Sequence, residues 1–171
     1  MLEIPNGSDW VALSSEPLPL TEAGEWAITP ECGALVSFAG TVRDHSTGRP
    51  GVQFLDYEAY EEQVVPRLQA VVDEARRRWP TLGRVVAMHR SGHLELQEIA
   101  VIVVATSPSR PEAFEAARFL IDTVKSTVPI WKHETWEGGS EWSDGICATD
   151  AAPGGLDADE QLSGRAHVAM P

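Results

Sequence analysis

Of the thirteen basic residues in this chain eleven are arginines, and the two lysines, Lys125 and Lys132, stand seven positions apart. Arginine serves wherever a fixed positive charge is enough. Lysine is a compact primary amine whose pKa falls readily on burial, so it can act as a nucleophile or carry a proton where a guanidinium cannot. Two lysines can fall this close by chance, so their setting decides. Between them lies a Thr-Val-Pro-Ile-Trp connection whose proline ends a helix and leads directly into a strand, which would bring both amines to one cleft. Arg43 and Arg110 also fall at element ends, where sites gather. Arg110 stands in the first turn of a helix, where a cation opposes the helix dipole by a few tenths of a kcal/mol. An anionic ligand would remove that conflict, because free N–H groups and a guanidinium both suit phosphate. The plainer alternative for both arginines is pairing with surface carboxylates.

The elements that must place these groups are readable from periodicity. Gly33 to Val42, GALVSFAGTV, is apolar and rich in small and β-branched residues, a buried strand with Arg43 at its end. The following RDHSTGRPG has loop composition, and Val52 to Tyr57 resumes as a strand, so the pair reads as a hairpin with a long tip. Glu61 to Trp79 is an amphipathic helix with Val64, Val65, Leu68, Val71, Val72, Ala75 and Trp79 on its apolar face; Arg76, Arg77 and Arg78 suit its C-terminal turn, and Pro80 ends it. Arg84 to His89 and Glu98 to Thr106 are strands joined through Ser91 and Gly92, the second apolar enough to be central. A second helix starts with Ser109 as N-cap, Pro111 in the first turn and Glu112 completing a capping box. Its apolar face is Ala113, Phe114, Ala117, Leu120, Ile121 and Val124, and it must stop near Pro129, which puts Lys125 in the last turn. Ile130 to Trp136 alternates as a strand, with Ile130, Lys132 and Glu134 on one face and Trp131, His133 and Thr135 on the other. Gly138 and Gly139 make a turn, across which Glu141 to Trp142 can pair back. Upstream, Trp10 to Ser14 reads as a short strand and Leu20 to Trp26 as a weak helix. The order indicates an α+β sandwich, two main helices on a mixed or antiparallel sheet.

Composition narrows the function further. The net charge of −13 argues against nucleic acid, which calls for a surplus of Lys and Arg on one face. The imbalance sits at the ends: residues 1 to 31 hold six acids and no Lys or Arg, and residues 150 to 171 hold four acids and one Arg, whereas residues 32 to 149 carry sixteen acids and twelve bases. The middle can therefore contain a cationic pocket for an anionic small molecule. The longest apolar stretch, Ile99 to Ala105, is far too short to span a bilayer, and Met1 to Asp9 lacks the features of a signal peptide, so a cytoplasmic protein is expected. Cys32 and Cys147 belong to no CxxC or Cys/His cluster and read as ordinary reduced thiols. His89 and His93 are four apart, but Gly92 between them belongs to a strand-and-turn context rather than a helical metal pair, and no metal site is expected. One domain over residues 1–149 is expected, followed by an acidic tail at 150–171 too poor in large apolar groups to order itself.

Three segments carry a family resemblance: GALVSFAGTVRDH (Gly33 to His45), VDEARRRWPTLGRVVAMHRSGHL (Val72 to Leu94) and TSPSRPEAFEAARFLIDTVKSTVPIWKHE (Thr106 to Glu134). In order and separation they resemble the large subunit of molybdopterin synthase, over about residues 10 to 142. The resemblance implies an α/β hammerhead fold with a small additional β-sheet, and a homodimer within a heterotetramer that carries a small ubiquitin-like subunit at each far end. That partner's C-terminal Gly-Gly thiocarboxylate would thread into a pocket here and donate sulfur to cyclic pyranopterin monophosphate, forming the dithiolene of the molybdenum cofactor. Neither a cofactor, a metal nor a nucleotide is implied for this sulfurtransferase step. By the same resemblance Lys125 and Lys132 are the active-site lysines, Arg43 and Arg110 basic pocket residues, and Phe38 and Ile121 apolar positions near the entering tail. A different reading is a non-catalytic module that binds a ubiquitin-like Gly-Gly tail, against which the two retained lysines speak. Two departures stand out. Ser109 replaces a histidine often found before the matching Arg110, and Asp144, Gly145, Ile146 and Cys147 occupy the region where the family has a basic residue that reaches the neighbouring protomer. His133 and Arg165 are the groups that could take its place.

Overall fold

Ile99–Ser107 is apolar at almost every position because both of its faces are covered, and the rest of the fold is arranged around it. The computed structural model describes residues 2–142. In chain order the elements are β1 (Asp9–Ser14), α1 (Leu20–Ala27), β2 (Ala34–Thr41), β3 (His45–Ser46), β4 (Arg49–Pro50), β5 (Val52–Ala59), α2 (Glu61–Arg78), β6 (Val85–Arg90), β7 (Gly92–Glu95), β8 (Ile99–Ser107), α3 (Arg110–Thr127), β9 (Ile130–Trp136) and β10 (Gly139–Trp142). The first sheet has the order β1-β6-β8-β2 and is mixed, β1 pairing parallel to β6 and the other neighbours antiparallel. The alternation of β8 splits its side chains between two layers. Val101, Val103 and Ala105 pack under α2 and α3 with Leu68, Val72, Leu120 and Val124, while Ile102 and Val104 pack under α1 with Trp10, Leu18 and Met88. At roughly 1.5–3 kcal/mol for each large apolar side chain fully buried, this double-sided packing is the main source of order.

The second sheet, β10-β9-β5-β7, is antiparallel throughout, and the short β3–β4 hairpin stands apart. A small cluster of Val42, Val52, Leu55, Leu94 and Ala100 joins the two sheets. The expected α+β sandwich is therefore present, with the additional sheet. Among the described residues no helix is long and apolar enough to cross a membrane.

Several local expectations are corrected. Gly92–Glu95 is not merely a connector but strand β7, paired with β5; only Leu94 in it is large and apolar, too little to show a period. Val65 and Phe114, placed on apolar faces from sequence, are exposed, Phe114 at 60%. The buried stripe of α3 runs through Ala113, Ala116, Ala117, Leu120, Ile121, Thr123 and Val124, which leaves Phe114 on the outer stripe with Arg110 and Arg118. Ser109 is the N-cap position of α3 but makes no side-chain capping bond. The work passes to Ser107, whose hydroxyl accepts from the Ser109 N–H at 3.0 Å and donates to Glu112 at 3.0 Å. The expected tail at 150–171, with Arg165, and residues Asp144, Gly145, Ile146 and Cys147 lie outside the described residues.

Candidate active site

The last turn of α3 closes with the Val128 N–H bonded to the Val124 carbonyl, Pro129 prevents another turn, and β9 begins at Ile130. Lys125 thus hangs from a helix end and Lys132 from the start of a strand. Both line one cavity of about 540 Å³, a size suited to a small molecule. Its walls include Phe38, Gly40 and Thr41 of β2 with Arg43 just beyond; His45 and Ser46 of β3; Tyr57 of β5 with Lys132 and Glu134 of β9; His89 of β6; Val101 of β8; and the end of α3 with Lys125. The register of β5 on β9 sets Tyr57 beside Lys132 and Leu55 beside Glu134, so the alternation that puts Ile130, Lys132 and Glu134 on one face makes that face a wall.

Glu134 is the node of this wall. Its side chain is 4% exposed; Oε1 receives the Lys132 ammonium at 2.5 Å, and Oε2 receives the Ser46 hydroxyl at 2.7 Å and Arg49 at 2.8 Å. Burial alone would raise its carboxyl, but these three donors hold it down at about 2, so it is a permanent anion. Arg49 reaches on to Glu141 and stacks on Trp136 at 4.9 Å, tying the β3–β4 hairpin to β9 and β10. Lys132 is thereby held and its charge compensated. Lys125 is exposed, makes no ion pair among the described residues, and stands 6.0 Å above the Phe38 ring.

Beside the cations, two polar side chains of the wall are uncharged. Burial pushes His89 down to about 4, helped by the nearby Lys125 charge and resisted by its bond to the Arg90 carbonyl, and burial pushes Tyr57 up to about 12 with the Glu134 charge adding. The recess therefore combines one ammonium unpaired among the described residues, one clamped ammonium, an exposed guanidinium and two uncharged polar rings.

A family described as MoaE protein matches residues 13–127 of this chain. The chain belongs to the MoaE family. A molybdopterin synthase catalytic subunit from Nostoc is 40% identical over 145 residues, covering 84% of this chain and 87% of the relative. The crystal structure of molybdopterin synthase from Staphylococcus aureus superposes with a TM-score of 0.72 at 36% identity, over 77% of this chain and 94% of that one. The fold is also shared, at 19% identity and a TM-score of 0.63 over 81% of this chain and 91% of the other, with a structure of the complex of subunits 1 and 2 of the Helicobacter pylori molybdopterin-converting factor.

In this MoaE-family chain, four of the six site residues expected from sequence meet in the recess: Lys125, Lys132, Arg43 and Phe38. Ile121 and Arg110 do not. Ile121 is 7% exposed in the core under α2, because it shares the inner stripe of α3 with Leu120 and Val124. Arg110 is exposed at the opposite end of α3, about 22 Å from Lys125 along the axis at 1.5 Å per residue. His133 does not line the recess of its own chain and packs on Trp142 at 4.9 Å. Sequence reasoning missed the roles of Glu134, Ser46, Arg49, Tyr57 and His89. Glu134 alone carried a signal, the alternation that puts it on the face of Lys132.

Proposed function

We propose that this chain is the catalytic subunit of a molybdopterin synthase, transferring sulfur from the C-terminal thiocarboxylate of a small ubiquitin-like partner to cyclic pyranopterin monophosphate. The observation that carries the reading is the convergence of the chain's two lysines on one recess, one with a carboxylate partner and one with none among the described residues. Relatives named molybdopterin synthase catalytic subunit support it. Donor tail and acceptor are both anionic, and holding two anions together in a partly dry site calls for fixed cations. Lys125, leaning on Phe38, orients the thiocarboxylate and moves protons. Each transfer forms a bond from the thiocarboxylate sulfur to a substrate carbon as a C–O bond at that carbon breaks and its oxygen leaves protonated or on phosphate. Water then attacks the partner's acyl carbon, breaks its bond to sulfur, and releases the partner as a carboxylate with the sulfur left on the substrate. Lys132, fixed by Glu134, stabilises the charge that develops in this cleavage and assists the hydrolysis. Arg43 at the rim draws in the phosphate.

The same reading makes residues 1–149 one domain that works in the cytoplasm as a homodimer within a heterotetramer. Arg110 cannot reach the recess of its own chain, so its place in the phosphate site comes from a second copy. Lys125→Ala should abolish sulfur transfer, measured as dithiolene product from thiocarboxylated partner and cyclic pyranopterin monophosphate, and Lys125→Arg should not restore it. Full activity in the Arg variant would show that charge alone suffices. Tight partner binding without any product from the wild-type chain would mark a tail-binding module instead of an enzyme.

A further inference from the structure

His89 and Tyr57 are polar, half-buried and absent from the chemistry above, yet both face the recess. The His89 Nδ1 lies 2.8 Å from the Arg90 carbonyl oxygen, which can only accept, so Nδ1 carries the proton and Nε2 presents a bare lone pair. Among the described residues nothing donates to Nε2, and nothing pairs with the Tyr57 hydroxyl. The two rings meet edge to face at 5.1 Å, which locks them against each other as one surface. No buried side-chain nitrogen or oxygen among the described residues lacks a partner, so this free acceptor and hydroxyl are open to the recess, where a ligand can reach them. Neither group suits proton transfer. With His89 at about 4 and Tyr57 at about 12, both stay uncharged across the physiological range.

We infer that His89 and Tyr57 form the subsite for the uncharged heterocycle of the substrate, His89 Nε2 accepting from a ring N–H while the Tyr57 hydroxyl pairs with the adjacent ring carbonyl or nitrogen. The assignment rests on the function proposed above and deepens it: Lys125 and Arg43 hold what is anionic, and this pair selects a lactam-like N–H/C=O edge.

The test is equilibrium binding of cyclic pyranopterin monophosphate to the full chain, with inorganic phosphate as competitor. Tyr57→Phe removes one oxygen and keeps the ring, and His89→Leu removes the acceptor. Each should weaken pterin binding about fivefold to tenfold, the loss of roughly one hydrogen bond, while the inhibition constant of inorganic phosphate stays unchanged. His89→Gln, which keeps a neutral acceptor, should recover part of the loss. If His89→Leu fails to fold, Tyr57→Phe decides alone. Pterin affinity unchanged in both variants, or phosphate affinity falling in parallel, overturns the subsite and leaves the proposed function standing. A wild-type chain that does not bind the pterin at all overturns both.

Discussion

Lys132 has a carboxylate partner at 2.5 Å while Lys125 has none among the described residues, and this difference, invisible in a count of charges, divides their work. An ammonium already neutralised by Glu134 is fixed in place and cannot act as a free anion trap; an exposed one over an aromatic ring can. The Glu134 carboxyl stands at about 2, below its ordinary value of 4.5 despite burial, because Lys132, Arg49 and Ser46 all donate to it. A depressed carboxylate stabilises the fold fully above its unfolded-state pKa, and that contribution fades as pH falls from about 4.5 toward about 2. Glu134→Gln should therefore melt below wild type near neutrality, and the gap should close as the solution is acidified through that window. Melting curves at several pH values check this, and a gap that stayed constant would show that the charge is not what holds the hairpin. The lysines themselves were legible because they are scarce, and Phe38 and Arg43 because their segment resembles a known family. Glu134, His89 and Tyr57 were not, since their importance lies in partners brought from distant strands.

Helix α3 shows how periodicity succeeds where local chemistry misleads. The sequence places its start, its end at Pro129 and Lys125 in its last turn correctly, because proline and apolar spacing act through the backbone. The capping box around Ser109 fails because the preceding strand delivers Ser107 into the same space, and that hydroxyl bonds both the Ser109 N–H and Glu112. A residue can be outcompeted for a cap by one whose position only the tertiary fold sets. Ser107→Ala should thus cost about 1 kcal/mol, roughly 2–4 °C in melting temperature for a chain of this size, whereas Ser109→Ala should cost little. Melting both variants decides between them; equal losses would restore Ser109 as the cap. The same limit explains why β7 escaped notice, as its pairing with β5 and its single buried Leu94 leave no local signal.

Arg110 and Lys125 stand at opposite ends of one rigid helix, about 22 Å apart along its axis, more than an arginine side chain can bridge. If both serve one substrate, they do so from different chains. The single chain is consistent with a covered face: β2 is an edge strand with Leu35 and Phe38 each 37% exposed, and Phe114 is 60% exposed on the same outer stripe as Arg110. In a two-fold dimer whose sites each take Lys125 from one copy and Arg110 from the other, a Lys125→Ala chain paired with an Arg110→Ala chain leaves one site doubly damaged and the other intact. Random exchange makes about half of the dimers mixed, so equal amounts of the two inactive or weakened variants should regain about one quarter of wild-type turnover at low substrate. Were both residues to act within one chain, every mixed dimer would hold one site without Lys125 and one without Arg110, and mixing would restore nothing. Turnover that stays at the average of the two separate variants after subunit exchange would therefore remove Arg110 from the neighbouring site.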